Sequence, residues 1–199
     1  MGAVPLLLPG MGATAALHGG LTAVRAVDWP EDPSWRSLGD LAEICIHHFA
    51  VQPGDPVGGS SFGGMVAAEM AIRLPGSPLV LIGSALDPGA IPARGLLGIP
   101  ERLVRPALLA AAARTSPGPL TAMATACGAP FIRRACAALR RWQGVRRRDL
   151  GMVHHIHGLW DPVIPAPLVR ADRYLAGGGH AIAWSHPAAV DQWIRDRLG

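Results

Sequence analysis

Hydrophobic positions along this chain fall into short unbroken runs separated by stretches of helical period. Residues 4–8 and 79–83 are continuous apolar runs, the pattern of strands buried on both faces. Residues 22–27 read as a further strand, closed by Asp28-Trp29-Pro30. Over residues 38–49, Leu38, Leu41, Ile44 or Cys45, and His48 recur at helical spacing. Val57 opens another strand, and residues 65–74 predict a helix behind it. Residues 152–157 form an apolar-rich strand that breaks at Gly158, and residues 171–175 a short alternating one. Val190, Trp193, Ile194 and Leu198 then fall on one face of a helix over residues 187–198. This alternation predicts an α/β fold, a mostly parallel sheet flanked by helices on both faces. In such a sheet the loops after the strands share one edge, where ligands bind.

Residues 93–145 break the rhythm. Short helical pieces cut by prolines occupy residues 96–113, and a turn over 115–118 follows. Two more helical pieces cover residues 120–127 and 130–142. With no internal repeat and no low-complexity linker, the 199 residues read as a single domain, 1–199, with 93–145 inserted in it.

The densest chemical signal is Gly59-Ser60-Ser61-Phe62-Gly63, set between a strand and an Ala-rich helix. Only Ser61 has glycine at both −2 and +2. In a tight strand-to-helix turn these glycines leave room where the two backbones approach too closely for a Cβ. A serine hydroxyl is a poor nucleophile and needs a base, which in turn needs an orienting acid. Asp161 lies in a Pro-bounded turn after the strand at 152–157, and His180 follows Gly177-Gly178-Gly179. Asp87, just after the preceding strand, is the alternative acid.

The order Ser61, Asp161, His180 resembles that of the α/β-hydrolases, and the resemblance runs along most of the chain. Leu6-Leu7-Leu8-Pro9-Gly10-Met11-Gly12 is similar to the family's first catalytic-side strand and oxyanion loop, with Pro9-Gly10 where His-Gly is common. Ile156-His157-Gly158-Leu159-Trp160-Asp161 resembles the acid strand, and Gly178-Gly179-His180 the histidine loop. The resemblance implies a minimal α/β-hydrolase fold in which 93–145 is a short helical cap, part of it doubling as a sheet-covering helix. It also implies oxyanion donors at the amides of Met11 and Phe62. The implied activity is that of a serine esterase or thioesterase, without a cofactor, working through an acyl-enzyme. Gly10, Leu86, Trp160 and Trp184 are candidate pocket residues, with Phe62 beside them; core packing is the competing role.

Composition narrows the alternatives. All 18 basic residues are arginine, which excludes Schiff-base lysine chemistry. Seven of them, Arg133, Arg134, Arg140, Arg141, Arg146, Arg147 and Arg148, cluster in one region of a chain with net charge +4. They predict a solvated face or a docking patch for an acidic partner, such as a carrier protein or coenzyme A phosphate. Nucleic acid is not expected, since Trp142 alone interleaves them. No apolar run reaches the length of a membrane span, and no basic segment precedes residues 4–8 as in a signal peptide. Cys45, Cys127 and Cys136 are odd in number and lack metal spacing, which predicts free thiols in the cytoplasm. His154, His155 and His157 lack a clustered carboxylate or cysteine, so no metal site is expected.

Two other functions compete. Gly10-Met11-Gly12-Ala13-Thr14-Ala15 with Asp28 outlines a dinucleotide fingerprint, although the space before Gly19-Gly20 is short for the crossover helix. A catalytically silent ligand-binding member of the fold is the other. Acyl transfer, lyase or cyclase chemistry on the same three residues is also compatible with the fold.

Overall fold

A computed structural model describes residues 4–92 and 128–199. Six strands form one sheet: β1 (Leu6–Leu8), β2 (Arg25–Ala26), β3 (Val57–Ser60), β4 (Leu79–Ile82), β5 (Val153–Gly158) and β6 (Arg173–Leu175). Their order is β2-β1-β3-β4-β5-β6 and every pairing is parallel, as the unbroken apolar runs predict. Successive side chains go to opposite layers. Leu6, Leu8, Val57, Leu79, Leu81 and Val153 join one core, and Leu7, Val80, Ile82 and Ile156 the other.

The first core is covered by α1 (Leu38–Phe49), α2 (Phe62–Ala71) and α3 (Gly128–Arg141). The second is covered by α4 (Ile182–Ser185) and α5 (Pro187–Leu198), through Ile182, Val190, Trp193 and Ile194. Helix α1 starts at a capping box: Ser37 Oγ accepts the Asp40 N–H, and the Asp40 carboxylate accepts the Ser37 N–H. The chain runs from β1 out to β2 and then crosses to β3 on the other side of β1. The strand order therefore reverses between β1 and β3, where a crevice opens at the C-terminal ends of parallel strands.

Three elements differ from their expected bounds for visible reasons. The strand expected over 22–27 is reduced to Arg25–Ala26. Upstream of it, the Asp191 carboxylate on α5 accepts the N–H of Thr22 at 2.7 Å and of Ala23 at 2.9 Å, which takes those donors from the sheet. Helix α2 begins at Phe62 rather than at residue 65, directly after Ser61, because the turn of the chain is completed at a single residue. Strand β4 stops at Ile82 because Gly83 turns away with φ +53°. Of the segment 93–145, residues 93–127 lie outside the described residues, and with them Cys127 and every helical piece expected before residue 128. The helix expected over 130–142 is α3, two residues earlier at its start. Among the described residues, no helix is long and apolar enough to cross a membrane.

Helix α2 lies so close to the end of β1 and to β3 that a Cβ on Gly63 would collide with the carbonyl oxygens of Leu8 and Pro9. One on Gly59 would stand 2.5 Å from the Gly63 carbonyl carbon. Both obstacles are backbone and cannot rotate aside. Gly63→Ala is therefore expected to lower stability by about 2 kcal/mol or more, read as a reduced urea midpoint at unchanged slope.

Candidate active site

Ser61 links β3 to α2 in a conformation that L-residues rarely adopt, φ 52° and ψ −119°. Such strain persists only where the surroundings enforce it. Here the Ser61 N–H donates to Ile82 O at 3.1 Å. Its carbonyl accepts the Ser84 hydroxyl at 2.6 Å and the N–H groups of Gly64 and Met65 at 3.0 and 3.3 Å. The hydroxyl is thereby lifted off the end of β3 at the strand-order reversal.

His180 reaches it from across the sheet edge. The ring Nε2 lies 2.9 Å from Ser61 Oγ, and Nδ1 lies 2.7 Å from Asp161 Oδ2. A carboxylate can only accept, so Nδ1 carries the proton and Nε2 accepts from the serine hydroxyl. Two glycine contacts hold the histidine loop in place. A Cβ on Gly158 would collide with the Gly179 carbonyl, and one on Gly83 would stand 2.8 Å from the His180 carbonyl.

Asp161 is 4% exposed. Its Oδ1 accepts the N–H groups of Val163 and Ile164 at 2.8 and 2.9 Å, leaving Oδ2 for His180. Burial pushes this carboxyl up, but His180 and the two amides outweigh it and hold it below the usual aspartate range. Asp87, the alternative acid, is instead exposed and caps the 3₁₀ turn Pro88–Ala90 by accepting the Gly89 N–H at 2.7 Å. Asp172 pairs with β5, its Oδ2 accepting the His155 N–H at 2.8 Å.

Phe62 opens α2, so its amide has no preceding helical carbonyl to bond and sits at the positive end of the helix. Gly10 packs against Ser61: a Cβ there would lie 3.7 Å from Ser61 Cβ. Its carbonyl accepts the Ala13 N–H at 3.0 Å and Trp29 Nε1–H at 3.4 Å. A trans peptide sets N–H opposite C=O, so the Met11 amide faces away from that turn.

Of the other pocket candidates, Leu86 lines a cavity of about 390 Å³ with Asp87, Val145, His155 and Leu168. Ser61 and His180 are not among the described residues that line it. Trp160 and Trp184 are 72% and 39% exposed. The Phe62 side chain is core, 1% exposed, stacked with Trp29 and Phe131 at ring-centre distances of 5.6 and 6.4 Å.

Sequence reasoning passed over three neighbours of the site. Trp29 joins the Gly10 carbonyl to the Phe62 ring, yet its only sequence signal was closing a strand. Ser84 ties β4 to the Ser61 carbonyl from a position read as loop. His18, 1% exposed, stands 2.8 Å through Nε2 from Ser60 Oγ, pinning the 3₁₀ turn Ala15–His18 beneath the serine turn. That four-residue turn occupies the place a dinucleotide fold gives to its crossover helix. Asp28, cast in the fingerprint as the ribose ligand, accepts the Ala15 N–H at 2.7 Å. Among the described residues, no group of three His, Cys, Asp or Glu side chains could hold a metal ion.

With the geometry in view, comparison with solved structures gives consistent neighbours. The type II thioesterase BorB of the borrelidin biosynthetic cluster superposes with a TM-score of 0.75 at 21% identity, over 98% of this chain and 93% of that one. The N-acyl homoserine lactonase AidH does so at 0.74 and 18%, over 100% and 89%. A thermophilic esterase from Thermogutta terrifontis does so at 0.72 and 18%, over 100% and 90%. The chain has the α/β-hydrolase fold. No protein-family model and no curated protein matches it.

Within this α/β-hydrolase fold, burial holds the His18 ring down to about 4 from an ordinary 6.5. A folded value below the unfolded one means the neutral ring is the stabilising form. Its contribution is complete above pH 6.5 and is lost as pH falls from 6.5 to about 4. The shift corresponds to about 3 kcal/mol. His155 shifts in the same direction, so the readout is a difference between proteins. Urea unfolding at pH 7.5 and 4.5 is expected to show a smaller pH-dependent loss in His18→Gln than in the wild type. Equal losses would show that His18 is not buried neutral.

Proposed function

We propose that the protein is a serine hydrolase acting on a carboxylic ester or thioester, with Ser61 as nucleophile, His180 as base and Asp161 as the acid that orients it. The observation that carries this reading is the single His180 ring within hydrogen-bond reach of both Ser61 Oγ and Asp161 Oδ2. As Oγ attacks the acyl carbon, its proton passes to Nε2, and the resulting imidazolium is held through Nδ1–H by the buried carboxylate. The carbonyl oxygen gains negative charge and is met by the amides of Phe62 and Met11, each such donor contributing about 3–4 kcal/mol to a transition state of this kind. The leaving alcohol or thiol takes the proton from Nε2. Water, deprotonated by the same nitrogen, then releases the acid from Ser61, so the cycle consumes only substrate and water and needs no cofactor. Residues 93–145 would act as the cap over this path.

The test is intact-protein mass after exposure to a fluorophosphonate. A single adduct on the wild type and none on Ser61→Ala is expected, with hydrolysis of a small aryl ester falling at least about 10³-fold. Full esterase activity in Ser61→Ala would sink the assignment.

A thioester carried on an acidic partner is the finer reading. BorB, and RedJ, a thioesterase from the prodiginine pathway of Streptomyces coelicolor, share the fold, as does the esterase. The arginine cluster supports the thioester, since the Arg146 and Arg148 side chains are 68% and 73% exposed. Arg146 Nε pairs with Asp149 Oδ2 at 2.7 Å, and Arg147 Nη2 donates to Val153 O at 3.2 Å. The double variant Arg146→Gln/Arg148→Gln is expected to raise KM several-fold for an acyl thioester on a carrier protein and to leave a small aryl ester unchanged. Equal changes on both substrates would remove the docking role. Small-molecule substrates without a carrier would then remain, and cellular location, expected cytoplasmic, plays no part in either test.

A further inference from the structure

Behind the Asp161 carboxylate the line of imidazoles continues. His157, fully buried, places Nε2 at 2.8 Å from Ile164 O and at 3.4 Å from Asp161 Oδ2, the oxygen that also meets His180. Its other nitrogen, Nδ1, lies 3.3 Å from His155 Nε2, with the two rings nearly perpendicular at 87°. His155 is 3% exposed and turns its Nδ1 toward Arg170 O at 3.2 Å. Two imidazoles thus span three gaps, with a carbonyl at each end.

Proton arithmetic decides how the gaps are filled. Two neutral imidazoles carry two ring protons, one fewer than the gaps. The Ile164 gap is the shortest and lies in the buried interior, so His157 carries its proton on Nε2. His157 Nδ1 is then a lone pair with no route to water, and an unmet buried acceptor costs about 1–3 kcal/mol. The one donor within reach among the described residues is His155 Nε2–H. The gap left open is at Arg170, an exposed residue that lines the same cavity as His155, where water can serve both the carbonyl and the His155 Nδ1 lone pair. A third proton would place a charge among Asp161, Asp172, Arg147 and His180, with the Tyr174 ring against His157. Burial opposes it and holds His155 down to about 4.

We propose that His155 is a positioning residue for the triad, acting through His157: its Nε2–H fixes His157 as the Nε2–H tautomer that donates to Ile164 O. The consequence is that the turn whose Val163 and Ile164 amides hold Asp161 Oδ1 is anchored through the Ile164 carbonyl, which keeps Oδ2 aimed at His180. The catalytic part of this inference rests on the serine hydrolase reading; the tautomer part does not.

The test compares His155→Leu with His155→Gln. Leucine fits an apolar interior but cannot donate, whereas the glutamine amide can donate to His157 Nδ1. Expected is a fall in kcat on the order of 10-fold in His155→Leu at unchanged KM, with recovery in His155→Gln, as for partners that act through a functional imidazole. A packing role alone predicts the opposite order, and that order would overturn the proposal. Nitrogen-15 spectra of the histidine rings read the tautomer directly in each protein. His157 is expected as Nε2–H in the wild type and in His155→Gln, and as a mixture in His155→Leu. A single unchanged tautomer in all three would overturn it as well. Should Ser61 itself fail to label in the wild type, the hydrolase reading falls, while the ring spectra still decide the role of His155.

Discussion

The backbone of α2 lies against the carbonyls of Leu8 and Pro9 with no room for a side chain between them, and the rest of the site depends on that contact. It requires glycine at 59 and 63, and it requires the chain to reverse within one residue. The reversal puts Ser61 at φ 52°, strained for any residue but glycine. That strain is held by bonds at both ends of the residue: Ile82 O takes the amide, and Ser84 Oγ–H meets the carbonyl. The same approach brings Gly10, at the end of β1, against Ser61 Cβ. One close contact between strand and helix thus sets the serine, the first turn of the helix and the loop facing them.

Asp161 and His180 are set by a second group of close backbone approaches on the other side of β4. Gly158, ending β5, admits the Gly178-Gly179 segment, and Gly83, ending β4, admits the His180 carbonyl. The loop after β5 runs alongside the loop after β6, with Leu159 N–H bonding Leu175 O and Trp160 N–H bonding Gly178 O. The histidine therefore comes from a loop fixed by backbone bonds rather than from a free tether. Its ring is positioned before any substrate arrives, which is the condition under which fixed dipoles are effective at a reaction centre.

What was legible in the sequence followed from period and from glycine. The apolar runs at 4–8 and 79–83 read as doubly buried strands because Leu6 and Leu8 face one helical layer while Leu7 faces the other. Glycines 59 and 63 marked a place where backbones meet and Gly158 the end of a strand, and the residues around them were the ones proposed for chemistry. Long-range polar contacts left no local trace. Nothing near Thr22 announces that Asp191 will take its amide, so β2 was read too long. Nothing near His18 announces Ser60, 42 positions away. His155 and His157 stand two apart on β5 and so share a strand face, but the carbonyls of Ile164 and Arg170 that they meet come from a loop whose path the sequence does not give. Trp29 was unreadable for the same reason: its partners, Gly10 and Phe62, follow two different strands.

Among the described residues Asp161 is the single buried carboxylate, and the buried groups around it are serines and imidazoles. Burial disfavours a charge on His18, His155 and His157, so at neutral pH these rings act as directional hydrogen-bonding groups and not as cations. The arrangement matters for the role proposed for Asp161, which would stabilise an imidazolium formed only transiently. A permanent cation behind Asp161 would already have drawn on its field, and the charge arriving on His180 would gain less from it. A neutral His157 anchors the Ile164 carbonyl beside Asp161 and leaves the negative charge to the His180 ring at 2.7 Å. Among the described residues every arginine is exposed except Arg134, which is half-buried with its guanidinium over the Trp35 ring at 5.4 Å. Keeping fixed cations outside and titratable rings inside leaves the one buried charge to act on the one ring that also reaches Ser61.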